Sequence, residues 1–396
     1  MNLDYMKRKY AYTLARVGLN VQKGQTVLVE AAIEGYEFTS IFAEECYKLG
    51  AANVIINYLD DLNLKVKAKY VPDMDKVDDV ERAYYEYYLS NGACYIRLEG
   101  VNPRLMEDVS EKESNLIFNR IDAIRNIMRK ASRDYKCQWL IAMIPTKEWA
   151  NYIMPESDNK LEDLWKLLFK LCYIDEENDI VKVWKEKRQA KQEYGLKLDS
   201  LNLRKLHYEA SNGTDLTVEL TPYSKFVHEK SDGIEFVANI PTEEIATSPE
   251  KYGTNGVVYA SKPLVLGGKT VENFGFRFKD GKVVEILAGE GKEMLENLVN
   301  TDENSGYLGE CALVEYHSPI SMSNIVYYTT LIDENASCHL ALGRALGPGI
   351  DPGSGYTFNF SSIHVDFMIG TPDMKITGTD VNGKEIPIFI NGDFAI

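Results

Sequence analysis

Helix-like and strand-like patterns of hydrophobic residues alternate along roughly the first 150 residues of the chain. Four short apolar runs have the length and composition of buried strands, at residues 26–32, 52–59, 93–100 and 137–145. Helical patterns lie before and between them, at residues 3–17, 35–49, 77–90 and 114–131. This alternation predicts an α/β domain with a parallel sheet and helices on its faces. No G-x-G-x-x-G motif follows any of these strands, so a dinucleotide site has little support.

The pattern changes after a charged helical stretch at residues 159–195. Strand–turn–strand patterns follow, over residues 206–220, 274–291 and 374–390. Two of their turns contain Asp280-Gly281 and Asn382-Gly383, dipeptides typical of hairpins because both central residues need positive φ. We therefore predict a boundary near residue 190. Residues 1–190 would form the α/β domain and help to shape a cavity, and residues 191–396 a mixed α+β domain rich in hairpins.

The segment SSIHVDFMIG, residues 361–370, places two polar side chains on one face of an apolar strand. Because alternate side chains of a strand face opposite ways, Ile363, Val365 and Phe367 share one face. His364 and Asp366 share the other face. An imidazole beside a carboxylate on such a strand suggests chemistry if other ligand-type residues meet them.

Composition and charge narrow the classes of function. Hydrophobic residues make up 45% of the 396 residues and charged residues 26%, which is ordinary for a globular protein. The formal net charge of −16 argues against a nucleic-acid partner, because phosphate binding needs a basic surface. The six cysteines lack C-x-x-C spacing and suggest buried, reduced thiols. No signal peptide and no 18-residue apolar stretch is present in this sequence, so we expect a cytoplasmic protein without a membrane partner.

Several candidate ligands lie in the second half of the chain. His339 lies in DENASCHLALGRAL, residues 333–346, whose residues predict a helix. On that helix Asn335 and His339 would lie on the same face. Carboxylates occur in weakly polar or apolar settings, at Glu243 and Glu244 in NIPTEEIATSP, at Glu310 before an apolar run, and at Glu334. Each alone has an ordinary reading: a core histidine, a partner of a helix dipole or an exposed loop acid. His207 and His228 fit surface or structural roles, and His317 is left open.

Together these residues favour a metal site. Burying several carboxylates costs several kcal/mol each unless something compensates their charge. Divalent cations would compensate several at once, and imidazole with carboxylate favours zinc, cobalt or manganese over calcium. Two metals roughly 3.5–4 Å apart generate hydroxide and stabilise an oxyanion, which is the usual plan of a hydrolase.

Four segments carry a family resemblance: NIPTEEIATSP, LGECALVEYHSPIS, TTLIDENASCHLALG and HVDFMIG. In this order and spacing they resemble the thermophilic metallo-aminopeptidase family typified by aminopeptidase T and aminopeptidase II, and LARVGLNVQKGQTVLVEAA looks like its opening. The resemblance covers essentially the whole chain. It implies a homodimeric exopeptidase that removes N-terminal residues from short peptides with two divalent metal ions, Zn, Co, Mn or Mg. The metal ligands that it implies are Glu244, Glu310, His339, His364 and Asp366.

Two of these acidic residues are assigned further roles. We expect Glu310 to bridge the two metals. Glu334, near the start of the predicted His339 helix, is our own hypothesis for the general base or for a residue that orients a ligand, and Glu310 is the alternative base.

One position departs from the family pattern. The family usually continues HLALGRAY, with a tyrosine that is counted among its active-site residues, whereas this chain has Leu346 there. Either the tyrosine is dispensable, or another group such as Tyr356 replaces it, or activity is reduced. A non-catalytic metal-binding scaffold and a two-metal amidase therefore stay open as alternatives.

Overall fold

The computed structural model describes residues 2–134, 137–226, 233–266, 269–346 and 353–396. The chain divides into two compact units. One unit comprises Met1–Glu186 with Glu229–Pro241, and the other comprises Lys187–His228 with Thr242–Ile396. None of the described helices combines the length and the apolar character needed to cross a membrane.

The described part of the chain forms nineteen strands and ten α-helices. The strands are β1 (Thr26–Ala32), β2 (Asn53–Leu59), β3 (Cys94–Glu99), β4 (Trp139–Met143), β5 (Leu203–Glu209), β6 (Asp215–Glu219), β7 (Asn239–Ile240), β8 (Ile245–Thr247), β9 (Thr254–Tyr259), β10 (Leu264–Leu266), β11 (Lys269–Val271), β12 (Gly275–Lys279), β13 (Lys282–Leu287), β14 (Leu308–Leu313), β15 (His339–Gly343), β16 (His364–Met368), β17 (Lys375–Asp380), β18 (Glu385–Ile390) and β19 (Asp393–Phe394). The helices are α1 (Leu3–Thr13), α2 (Tyr36–Lys48), α3 (Asp61–Tyr70), α4 (Asp79–Ser90), α5 (Glu111–Asp134), α6 (Lys147–Ile153), α7 (Lys160–Leu171), α8 (Ile180–Ser200), α9 (Lys292–Val299) and α10 (Thr330–Asp333). A π-helical turn continues α1 over Leu14–Gly18, and 3₁₀ turns lie at Ile33–Gly35, Ser321–Ser323 and Glu334–Ala336.

The first unit is built on the predicted parallel sheet. Its strand order is β2-β1-β3-β4-β7, and every neighbouring pair is parallel. Val29 in β1 pairs with Ile56 on one side and with Ile96 on the other. Central strands with helices on both faces are buried on both faces, which explains why β1 is largely apolar, with Glu30 as its one charged residue. The predicted fold class is confirmed for this unit.

The second unit contains an eight-stranded sheet in the order β13-β12-β9-β6-β5-β17-β18-β19. The three predicted hairpins are its β5–β6, β12–β13 and β17–β18 pairs. At the β12–β13 turn both Asp280 and Gly281 have positive φ, as the sequence predicts. At the β17–β18 turn Gly383 has positive φ but Asn382 does not, so that hairpin forms with a different turn.

A second, four-stranded antiparallel sheet in this unit has the order β16-β15-β14-β8. One face of this sheet, called here the core face, packs into the hydrophobic core. Phe367 lies on the core face, and its ring centroid is 5.2 Å from that of Phe276 in the larger sheet. Val365 also packs against this core, so the predicted division of the 361–370 strand into an apolar and a polar face is confirmed.

The predicted helix over residues 333–346 is wrong. Helix α10 ends at Asp333, the 3₁₀ turn Glu334–Ala336 follows, and β15 begins at His339. Ser337 is fully extended, with φ −166° and ψ 166°. The small and apolar residues of this segment have good helix propensity, but hydrogen bonds to β14 and β16 on both sides outweigh it.

Candidate metal centre

Glu310 is a carboxylate in a strand whose six residues are all buried. The register of β14 against β15 slips at Gly309, so that Leu308 pairs with Leu342 but Glu310 pairs with Ala341. A Cβ at Gly309 would lie 2.3 Å from the Arg344 carbonyl oxygen, which explains the glycine. Because of this bulge Leu308 stays in the core while Glu310 points to the opposite face, called here the site face.

His364 and Asp366 lie on the site face of β16, the edge strand that pairs with β15. Asp366 pairs with Ala341, the same residue that pairs with Glu310 from the other side. The two carboxylates therefore lie in one row across the sheet with only a methyl group between them. His364 pairs with Gly343, where a Cβ would lie 2.2 Å from the Ile363 carbonyl oxygen, so only glycine allows the two strands to approach this closely.

His339 and Glu244 complete the set. His339 opens β15 and pairs with Ala312 of β14. Ala312 in turn pairs with Ala246 of β8, and Glu244 precedes that strand by one residue. Strand pairing thus brings together residues that lie about a hundred positions apart in sequence.

The five predicted ligands form two clusters that share Glu310. In the Glu244 cluster, the His339 Nε2 atom is 3.3 Å from Glu244 Oε2 and 3.9 Å from Glu310 Oε1. In the His364 cluster, the His364 Nε2 atom is 3.0 Å from Glu310 Oε2 and 3.5 Å from Asp366 Oδ1. Within each cluster the potential ligand atoms lie within 4.8 Å of one another. The two histidines thus approach different oxygens of the Glu310 carboxylate, His339 approaching Oε1 and His364 approaching Oε2.

Backbone carbonyl groups orient both imidazoles. The Nδ1 atom of His339 is 3.2 Å from the Ser337 carbonyl oxygen, and that of His364 is 2.6 Å from the Arg344 carbonyl oxygen. A carbonyl only accepts, so Nδ1 carries the hydrogen in each ring and a neutral ring keeps a free lone pair on Nε2. Metal-ligating histidines are commonly held in this way. No sequence pattern marks these two carbonyl partners in advance.

Burial and crowding shift the pKa values of these groups. Burial opposes the charged form of His339, but the Glu244 carboxylate outweighs it and raises the pKa of His339 to about 10. Burial raises the pKa of Glu310. Burial also raises the pKa of Glu334 well above its usual range, and the charges of Glu244 and Asp366 add to that shift. Without a cation, the centre therefore has to hold protons to limit repulsion among its carboxylates.

Glu334 and Glu243 differ in their relation to the two clusters. Glu334 is partly buried on the 3₁₀ turn that precedes β15, and its charge interacts with those of Glu244, Asp366, His339 and Glu310. Glu243 belongs to neither cluster, and its carboxylate lies 3.4 Å from the Lys187 ammonium group. The charge of Glu334 thus interacts with those of the candidate ligands, whereas the Glu243 carboxylate forms an ion pair with Lys187.

The other histidines lie in different surroundings. His207 contacts Asp215 across a hairpin, at 2.8 Å, and the exposed His317 contacts Asp393. His228 lies outside the described residues.

The donor set fits divalent cations of the first transition row. Each cluster offers one imidazole nitrogen and carboxylate oxygens from two residues, the ligand types that zinc, cobalt and manganese accept. In their neutral forms both imidazoles would keep the hydrogen on Nδ1 and leave the Nε2 lone pair for a metal. Cations would also replace the protons that the crowded carboxylates otherwise require.

Comparison with known proteins identifies the family. The model of the thermophilic metalloprotease family (M29) matches residues 4–394. The chain belongs to this family. Membership of M29 implies a divalent metal cofactor and confirms the family predicted from the four sequence segments.

Relatives of the M29 chain carry consistent names. It is 39% identical to aminopeptidase AmpS of Bacillus subtilis (strain 168), over 98% of this chain and 97% of the relative. It is 34% identical to aminopeptidase 2 of Geobacillus stearothermophilus, with the same coverage of both chains. Its structure matches that of wild-type AmpT from Thermus thermophilus with a TM-score of 0.92 and 29% identity, over 99% of this chain and 100% of the other. The predicted enzyme class is confirmed: the family is one of metalloproteases, and these relatives are named aminopeptidases.

Leu346 occupies the position of the family tyrosine. It lies two residues after Arg344, whose carbonyl oxygen contacts His364. Its side chain is 46% exposed, and its backbone N–H donates to the Ser248 hydroxyl at 2.9 Å. The ring of Tyr356, the proposed substitute, is partly exposed and packs edge-on against Tyr223. Residues 347–352, between these positions, lie outside the described part of the chain. A role for Tyr356 in place of the family tyrosine stays one of the three alternatives.

We expect Leu346→Tyr to raise kcat about tenfold, below the 10²–10³-fold effect of a full oxyanion-hole donor. The gain would come from the added hydroxyl, since an exposed position accepts a larger ring without loss of packing. Steady-state kinetics on a peptide substrate measures it, with Leu346→Phe as the control that adds a ring without the hydroxyl. Equal kcat for the tyrosine variant and the unmodified chain would show that the hydroxyl is dispensable here.

Proposed function

We propose that this chain is a two-metal aminopeptidase that removes N-terminal residues from short peptides. The observation that carries the proposal is the position of Glu310, whose two carboxylate oxygens face two different histidines. A single buried carboxylate shared by two donor clusters is what a pair of neighbouring cations requires. The names of the relatives support peptides as substrates.

Each cation would have its own ligands. Glu244 and His339 would hold one, His364 and Asp366 would hold the other, and Glu310 would bridge them. When bound, such a pair lowers the pKa of a water molecule towards neutrality and polarises the carbonyl group under attack. Nitrogen and oxygen ligands of this kind suit Zn, Co or Mn, and Mg stays possible in an oxygen-rich set.

Glu334 is the residue that we assign to proton transfer. Its charge interacts with the charges of the proposed ligands, but it belongs to neither cluster. Its carboxylate would therefore not be occupied by a metal ion and could accept a proton. It would accept the proton of the attacking water and later donate it to the leaving amine. Glu243 is a poor candidate for this role or for binding the substrate's amino group, because it faces Lys187.

Hydrolysis of Leu- and Ala-p-nitroanilide tests the proposed activity. We expect turnover with one or more of Zn²⁺, Co²⁺, Mn²⁺ and Mg²⁺, loss of turnover after chelation, and recovery when the metal is restored. Turnover is followed by absorbance, and bound metal by mass spectrometry of the desalted protein. Stoichiometric metal uptake without turnover would favour the scaffold alternative, and turnover of simple amides but not of these substrates would favour an amidase.

We further propose that the enzyme is cytoplasmic and homodimeric. All six cysteines are buried and none of them forms a disulfide, which suits a reducing compartment. The homodimer rests on the family resemblance alone, and light scattering of the purified chain tests it.

A further inference from the structure

Asn335 is a buried asparagine next to the metal centre, with every side-chain bond directed at backbone. Its Oδ1 atom accepts the N–H groups of Glu243 at 2.6 Å and of Glu244 at 3.2 Å. Its Nδ2 atom donates to the Leu331 carbonyl oxygen at 2.9 Å. The residue is completely buried, so each of these bonds replaces a bond to water that is no longer available.

These bonds join two parts of the centre that strand pairing leaves separate. Glu244 lies just outside β8, which is an edge strand of only three residues, so pairing with β14 does not hold its backbone. Asn335 supplies that support from the 3₁₀ turn that also carries Glu334. The bond from Asn335 to Leu331 ties the same turn to α10.

We propose that Asn335 is a positioning residue that fixes Glu244 as a ligand of the Glu244 cluster and sets its distance from Glu334. The proposal rests on the two-metal function proposed above. Asn335 is assigned to one cluster alone. Among the described residues, its side-chain hydrogen bonds go to Glu243, Glu244 and Leu331, and none goes to His364 or Asp366. A residue with only a general structural role would affect both clusters alike.

The test is a titration of the full-length, chelator-treated chain with Co²⁺, followed by visible absorption and by calorimetry. We expect the unmodified chain to bind two equivalents. In Asn335→Ala one equivalent should bind about 10- to 100-fold more weakly, which is the usual cost of losing a partner that orients a metal ligand, while the other keeps its affinity. Asn335→Asp should recover only part of the loss, because a carboxylate still accepts both N–H groups but cannot donate to the Leu331 carbonyl oxygen.

Two further variants complete the test. Asn178→Ala is the control, since Asn178 also donates to a backbone carbonyl, that of Tyr173 at 2.7 Å, but lies in the other unit. It should leave both equivalents unchanged. If Asn335→Ala does not fold, Asn335→Ser carries the test, because its hydroxyl is too short to reach both N–H groups and should weaken the same equivalent.

Three results would overturn the proposal. Unchanged binding of both equivalents by Asn335→Ala would do so, and so would equal weakening of both. In either case two equivalents in the unmodified chain would leave the proposed function standing. Fewer than two equivalents in the unmodified chain would instead refute the two-metal proposal, and the role of Asn335 would fall with it.

Discussion

Glu310→Gln is expected to lower kcat/KM by about 10³-fold or more, because it removes the carboxylate that both clusters share. A glutamine side chain has one amide oxygen and one amide NH2 group, so it presents a ligand to one cluster and a hydrogen-bond donor to the other. The loss of one cation removes several kcal/mol of transition-state stabilisation, and each 1.36 kcal/mol is about tenfold in rate. Steady-state kinetics and the metal content of the desalted protein measure the effect.

Glu243→Gln is the matched control for this variant. Glu243 is also a poorly exposed glutamate beside the centre, but it faces Lys187 and belongs to neither cluster. It should keep both metals and most of the activity. Two tightly bound metals in Glu310→Gln would contradict the bridging role.

The stability of Glu310→Gln without metal checks that the fold is intact. Burial raises the pKa of Glu310, so the folded protein binds the proton of this group more tightly than the unfolded chain does. Ionised Glu310 therefore opposes folding above its unfolded pKa, and this cost grows until the pH passes the folded pKa. At pH 7 the metal-free variant should melt no lower than the metal-free parent. A clear fall in melting temperature would mean that the loss of activity reflects a damaged fold.

The elements that could be predicted from sequence are those whose pattern has one physical meaning. The apolar run of β1 sits in a sheet covered on both faces, and the alternation in β16 separates a core face from a site face. Asp280-Gly281 marks a turn because few other residues accept positive φ at two successive positions. In these places local preference and tertiary context agree.

The segment around His339 shows where such reasoning stops. Its small and apolar residues suit a helix, yet strands on both sides recruit it as the buried strand β15. A continuous buried run has no alternation, so periodicity alone does not distinguish the two structures. The helix prediction paired Asn335 with His339, whereas Asn335 actually bonds to residues more than 90 positions away. The ligand-type residues can be named from the sequence, but the groups that orient them depend on tertiary contacts.

The bulge at Gly309 is an intermediate case. The tripeptide Leu308-Gly309-Glu310 carries the signal, because a glycine inside an apolar strand often marks a bulge. Its consequence is a change of face between Leu308 and Glu310, which is seen only once the register with β15 is known. Recognising the bulge would have explained why a strand this apolar carries a carboxylate.

Glu334→Gln is expected to lower kcat by about 10²–10⁴-fold, the usual contribution of a general base, with little change in KM. The amide cannot accept the proton of the attacking water. Both clusters keep all of their ligands in this variant, so metal content should stay at the level of the unmodified chain. This separates Glu334→Gln from Glu310→Gln, in which activity and metal are lost together.

Glu334→Asp provides a graded comparison, since it keeps the carboxylate but draws it back by one methylene group. Its kcat should lie between those of Glu334→Gln and the unmodified chain. A metal lost from Glu334→Gln would show that Glu334 is a ligand rather than a base. Unchanged kcat with both metals bound would mean that another group takes the proton. Glu310 would then be the first residue to consider, because both clusters share its carboxylate.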